Sequence, residues 1–119
     1  MSEPRPLSEV LPDGAIRHHF AGQDDAKGVY AKEVHIPAGV FLVSHEHPYD
    51  HLSILAKGNV LIEIEGEARL LHAPAALLVE KHKHHTVHAI TNAVWFCIHP
   101  TEETDHAKVD GVILSKGEV

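Results

Sequence analysis

The sequence predicts a single all-β domain, a small barrel or sandwich. Two patterns predict it: short runs in which apolar and polar residues alternate with period two, and turn residues recurring between them at close spacing. A third observation bounds it. The 119 residues are enough for one domain and few for two, and a hydrophobic fraction of 44% allows a real core.

The elements follow in chain order. Residues 1–28 read as an N-terminal arm and lead-in. Pro4, Pro6 and Pro12 make its start irregular or edge-pairing, and Gly22 to Gly28 reads as a turn. Val29 to Ile36 is a strand ended by Pro37-Ala38-Gly39, and Val40 to His47 is a second, broken by Pro48-Tyr49-Asp50. His51 to Ala56 is a third, stopped at Lys57-Gly58-Asn59. Val60 to Glu65 sets Ile62 and Ile64 against Glu63 and Glu65, the signature of a half-buried strand, and Gly66 marks a hairpin turn. Ala68 to Leu71, Ala76 to Val79, Thr86 to Ile90 and Val94 to His99 follow as short strands. Ala75 to Leu78 has good helix propensity, but the run is short and lies between strands, so strand is expected. Residues 29–100 thus hold the predicted strands of the barrel or sandwich. Residues 101–119 are a polar extension that regains Val109, Val112, Ile113 and Leu114, expected to pack on or beside it.

Charge and cysteine content exclude some functions. A formal net charge of −7 argues against a general nucleic-acid binder, which needs a basic face. The single cysteine, Cys97, excludes an intramolecular disulfide and a cysteine-built zinc site, and fits a reducing cytoplasm. No apolar run has the length of a signal peptide or a membrane span, so a cytoplasmic protein without a membrane partner is expected. Small barrels leave edge strands, and a proline-bearing arm suits a partner's surface, so a homodimer is expected.

The compositional outlier is histidine, 13 residues of 119. His45, His47 and His51 form one group; His82, His84, His85 and His88 form another. Residues two apart on a strand share a face, so His45 and His47 point the same way. Pro48 lets the chain turn and bring His51 to the same ion. A further ligand must come from a distant strand, and the second group supplies candidates. His18, His19, His35, His72 and His106 read as surface or hydrogen-bonded residues. Tyr49 reads as a half-exposed turn residue with a phenol near the mouth. Trp95, Cys97 and His99 share one face of the late strand and Phe96 and Ile98 the other; which face lines the cavity is left open. Cys97 reads as a small core residue.

Gly39, five residues, His45, one residue, His47, three residues, His51, six residues and Gly58 together resemble the first motif of the cupin superfamily. Every spacing matches; His51 stands where the family usually has a glutamate. In the second cupin motif a Pro-x-Gly turn precedes a histidine. Here Glu80-Lys81-His82 stands at that turn and His85 falls at the ligand position, with His84 the alternative. The resemblance implies a cupin β-barrel (a double-stranded β-helix, or jelly roll). It also implies a metal site of His45, His47, His51 and His85, like the four-histidine site of small single-domain cupins. His82 and His88 then lie outside the coordination sphere.

Four neutral imidazoles leave the charge of a divalent ion uncompensated, which favours an anionic co-ligand such as hydroxide, an enolate or a carboxylate. Imidazole clusters suit several transition metals, so the ion is one of Mn, Fe, Ni, Zn or Cu. The partner expected is a small-molecule ligand or substrate. The leading functional expectation is a metal-dependent oxidoreductase of dioxygenase type acting on a small oxygenated molecule. The alternatives are a non-catalytic ligand-binding module and a metal-handling protein. Isomerase chemistry that needs a carboxylate at the metal is disfavoured by His51, unless Glu63 or Glu80 enters from another strand.

Overall fold

A computed structural model describes residues 3–10, 14–22, 28–44 and 49–100. The elements in order are β1 (Arg5–Pro6), α1 (Leu7–Val10), β2 (Ile16–Ala21), β3 (Val29–Ile36), β4 (Val40–Ser44), β5 (His51–Lys57), β6 (Asn59–Ile64), β7 (Glu67–His72), β8 (Ala75–Val79), β9 (His85–Ala89) and β10 (Ala93–Pro100). They form two five-stranded sheets, ordered β1-β4-β9-β6-β7 and β2-β3-β10-β5-β8. Pairing is antiparallel except for β1, which runs parallel to β4. Among the described residues no strand pair joins the sheets. The described strands thus form the expected jelly roll, seen as a two-sheet sandwich.

Eight strands fall where the alternation places them, within a residue or two at each described end. The helix-prone run is β8, with Leu78 opposite Leu52 and Ala76 opposite Ile54 of β5. The start of the lead-in pairs at a sheet edge, as expected, with residues 5–6 against β4. Further on it differs from expectation: Ile16–Ala21 is a full strand paired with β3. The residues C-terminal to Pro100 lie outside the described ones, as does the expected continuation of β4 to His47. No described helix is long and apolar enough to cross a membrane.

The core lies between the sheets. Val34, Leu55 and Trp95 come from one sheet and Val60, Ile62 and Val87 from the other, all nearly inaccessible to solvent. Each such aliphatic side chain contributes about 1.5–3 kcal/mol by leaving water. Strict alternation of buried and half-buried residues along β3, β9 and β10 shows that parity along the strand decides which side chains face inward.

The motif glycines have a steric reason. Gly58 has φ of 90°, and a Cβ there would stand 2.3 Å from the carbonyl oxygen of Asn92. Only glycine allows the β5–β6 turn to pack against the segment leading into β10. Gly39 has φ of 82° but open space around it, so its requirement is conformational alone.

Candidate metal centre

Two strands from opposite sheets begin with a buried histidine. His51 opens β5 and is 4% exposed; His85 opens β9 and is 1% exposed. Their ring centres are 5.9 Å apart. The turns that precede them are tied together, because the Lys81 amide donates to Asp50 Oδ1 at 2.8 Å. In the second turn, the position where a cupin would have glycine is taken by His82, which adopts φ of 62°. The chain leaves that turn with His84 exposed and His85 buried, and the alternation then carries Val87 and Ala89 inward.

The sequence pointed to His45, His47, His51 and His85. The structure brings His51 and His85 together, whereas His45 and His47 lie outside the described residues. Among the described residues, no group of three or more His, Cys, Asp or Glu converges as a metal site. The two rings nonetheless fit one ion. Imidazoles bound through nitrogen at about 2.1 Å place their ring centres roughly 4.5–6.4 Å apart, depending on the angle at the metal. The donors are nitrogen, as Zn, Cu, Fe and Ni prefer. Neither glutamate considered as an extra carboxylate reaches this space: Glu63 Oε1 is 2.9 Å from His88 Nε2 on the outer face, and Glu80 is exposed, near Lys83.

A third buried imidazole stands beside the pair. His99, on the central strand β10, is 1% exposed, and its ring stacks on His51 at 4.9 Å with planes 26° apart. The Tyr49 hydroxyl lies 3.0 Å from His99 Nδ1. Burial, and secondarily the Cys97 sulfur, raise the Tyr49 phenol well above its ordinary range. A phenol held protonated donates to that nitrogen, which leaves the ring proton of a neutral His99 on Nε2. Tyr49, half-buried in its turn, thus contacts the His99 ring. Tyr30, wholly buried, stacks on His99 at 6.1 Å. The signal for His99 was present in the sequence: once Trp95 is taken as core, parity puts Cys97 and His99 inside with it.

Below this layer of rings the interior changes character. Lys32, Cys97 and Ser53 are cross-strand neighbours on β3, β10 and β5, and all three are buried. Cys97 is a core thiol. Burial pushes it up, outweighing the nearby Lys32 charge and the hydrogen bonds with Ser53 and Trp95. One pleat deeper, Val34, Trp95 and Leu55 are apolar.

The other histidines sit elsewhere. His19 and His35 both bond Glu33, His72 bonds Asn59, and His18 bonds the Tyr30 hydroxyl. His82 is exposed in its turn and His88 faces outward against Phe41. His106 lies outside the described residues.

No protein-family profile matches the chain. No curated protein matches it either. Solved structures do. A cupin-2 domain protein from Shewanella frigidimarina is 21% identical, with a TM-score of 0.58 over 78% of this chain and 88% of that one. A cupin 2 domain-containing protein from Halorhodospira halophila is 13% identical, with a TM-score of 0.61 over 84% and 75%. The enzyme HppE, crystallised with Fe(II) and substrate, is 16% identical, with a TM-score of 0.52 over 59% of this chain and 44% of that one. The two-sheet architecture is thus the cupin fold, and it is shared with enzymes.

Proposed function

We propose that this protein holds one divalent transition-metal ion through His45, His47, His51 and His85. We further propose that it acts as a metal-dependent oxidoreductase of dioxygenase type on a small oxygenated molecule. The observation that carries the reading is the pair His51 and His85, delivered buried from opposite sheets at a separation one ion can bridge. The structural neighbour HppE, crystallised with Fe(II) and substrate, gives the fold a precedent for holding a metal ion beside a small molecule. When bound, the ion supplies a Lewis acid, and an Fe, Mn or Cu ion also supplies redox chemistry.

The chain's own residues prepare the place. His51 and His85 present nitrogen donors from rigid strand ends, so little ordering is left to be done on binding. Tyr49 and Tyr30 hold the His99 ring against His51. The apolar layer of Val34, Trp95 and Leu55 closes the floor to water. Glu63 and Glu80 lie away from the described site, so no carboxylate base is available from them for isomerase chemistry.

Elemental analysis of the purified protein, beside a His51→Ala variant, tests the reading. About one transition-metal ion per wild-type chain is expected, and a large loss of occupancy in the variant. A wild type that never holds metal, or a variant with unchanged occupancy and affinity, overturns it. More than one ion per chain favours the metal-handling alternative. For the metal-loaded wild type, oxygen uptake with a panel of diketones, thiols and phenols separates catalysis from simple binding.

A further inference from the structure

A cavity opens at the far end of β5 from the candidate metal centre. His51 begins that strand and Lys57 ends it, about 20 Å further on. The cavity has a volume of about 390 Å³, within the range of small-molecule sites. Arg17, Lys57 and His35 line it, and among the described residues no Asp or Glu does. The chain carries 17 acidic residues against 10 Lys and Arg, so a wall with cations alone runs against its composition. Another cavity, of about 420 Å³, shows the ordinary mixture: Glu65, Glu67 and Glu80 beside Arg69 and Lys83.

The register brings the cations together. His35 pairs with Val94, and Val94 with Lys57, so the three form one row across β3, β10 and β5. Arg17 stands on β2 opposite Glu33, one pleat from that row. Lys57 reaches this face through a bulge. His51, Ser53 and Leu55 alternate inward along β5, and regular alternation would send Lys57 after them. The register shifts between Val94 and Trp95, and Lys57 is exposed instead. Bulges re-aim side chains in this way. Among the described residues neither Arg17 nor Lys57 forms an ion pair. The carboxylate of Glu33 is engaged by His19 and His35, and Arg17 acts on it only as a nearby charge. Asn92 Oδ1 accepts from the Ala38 amide at 2.9 Å, which leaves the Asn92 NH2 group to donate to a ligand. The rest of the wall is apolar, with Ile36 and Ala93 buried beneath Val94 and Pro37.

We propose that this cavity binds a small organic dianion of the dicarboxylate class, with Arg17 and Lys57 each taking one anionic end. Arg17 offers a planar fork that matches a carboxylate, and Lys57 a point charge on a flexible stem. Their strands, β2 and β5, are three strand spacings apart, about 15 Å, a span that two long arms and one short molecule fill. The apolar part of the wall suits a carbon body, which an inorganic ion lacks. The site uses none of the metal-centre histidines and stands or falls apart from them.

Titration calorimetry of the purified protein with succinate, its uncharged analogue succinamide and inorganic phosphate, at fixed ionic strength, tests this. Saturable binding of succinate is expected, about ten-fold or more tighter than that of either other probe. Arg17→Gln and Lys57→Gln are each expected to weaken it about five- to ten-fold, a modest loss because both heads are exposed to solvent. Both variants are expected to keep the cooperative thermal transition, since neither side chain is in the core. His51→Ala is expected to bind succinate as the wild type does. Absence of saturable succinate binding overturns the proposal, and so does equal affinity of the wild type for succinamide or phosphate; neither result needs a variant. Unchanged succinate affinity in a folded Arg17→Gln or Lys57→Gln protein overturns the two-ended grip. Loss of binding in His51→Ala, with none in the other two, places the anion at the metal centre and overturns this site.

Discussion

Histidines on the two sides of the same sheets keep different company. On the outer faces, His19 and His35 share the carboxylate of Glu33, His88 lies beside Glu63, and His72 bonds the amide of Asn59. On the inner faces, His51, His85 and His99 are surrounded by rings: one another, Tyr30, Tyr49 and Trp95. No carboxylate is buried with them among the described residues. An outer ring whose nitrogen is engaged by a surface carboxylate is a solvated polar group. Rings gathered in a dry interior are the arrangement that metal ligation uses, because it needs neutral imidazole nitrogens and excludes competing water. One residue along the chain separates an exposed imidazole from a buried one, as His84 and His85 show.

The largest effect that can break this comparison is on metal affinity. His85→Ala is expected to weaken it by more than the roughly 10–100-fold that loss of an outer partner costs. His84→Ala and His88→Ala are expected to leave it unchanged. Competition against a chelating dye reads all three. Equal losses in His85→Ala and His88→Ala would mean that parity does not decide which histidines bind.

A smaller effect concerns the turn that sets this parity. His82 holds a left-handed φ of 62° at an exposed position. A non-glycine residue there costs roughly 1–2 kcal/mol in the steric account of that region, partly offset by the greater freedom glycine has in the unfolded chain. His82→Gly is therefore expected to stabilise the metal-free protein by up to about 1 kcal/mol in urea unfolding, with metal affinity unchanged. A loss of metal affinity would show that His82 itself takes part, moving it from the outer group to the inner one.

Much of this was legible in the residues, for reasons that differ from strand to strand. β6 and β9 alternate cleanly, and their bounds could be read to within a residue. β2 could not: its inward positions are Ile16, His18 and Phe20, so a histidine interrupts the apolar signal, and Gly14 and Gly22 bracket it like a loop. β3 hid Lys32 for a related reason. Tyr30, Lys32, Val34 and Ile36 alternate with Val29, Ala31, Glu33 and His35, and each set mixes apolar with polar residues. Only the opposing sheet decides which set is inside. The choice of His85 needed a resemblance, since His84 and His85 are chemically equivalent until the phase of the turn is known. His99 needed the burial of Trp95 to fix its face.

The smallest effect isolates an outer group from the inner ones by pH. Hydrogen bonds from His35, and then His19, hold the Glu33 carboxyl below its ordinary value of 4.5, against the opposing effect of burial. A carboxyl depressed on folding contributes stability above its unfolded pKa, and that contribution disappears as pH falls through the lower, folded value. Glu33→Gln is thus expected to destabilise the metal-free protein near pH 6 by a few tenths of a kcal/mol, up to about 1, because the site is solvent-screened. The two proteins should converge in urea unfolding in acid, as pH falls through the lowered folded value and the wild-type carboxyl takes up its proton. Metal release behaves differently. Acid competes with the ion for the imidazoles, so metal loss should begin nearer neutrality and be the same in Glu33→Gln as in the wild type. If Glu33→Gln shifted the pH of metal loss, the outer network would be coupled to the inner rings, and the two groups of histidines would not be independent.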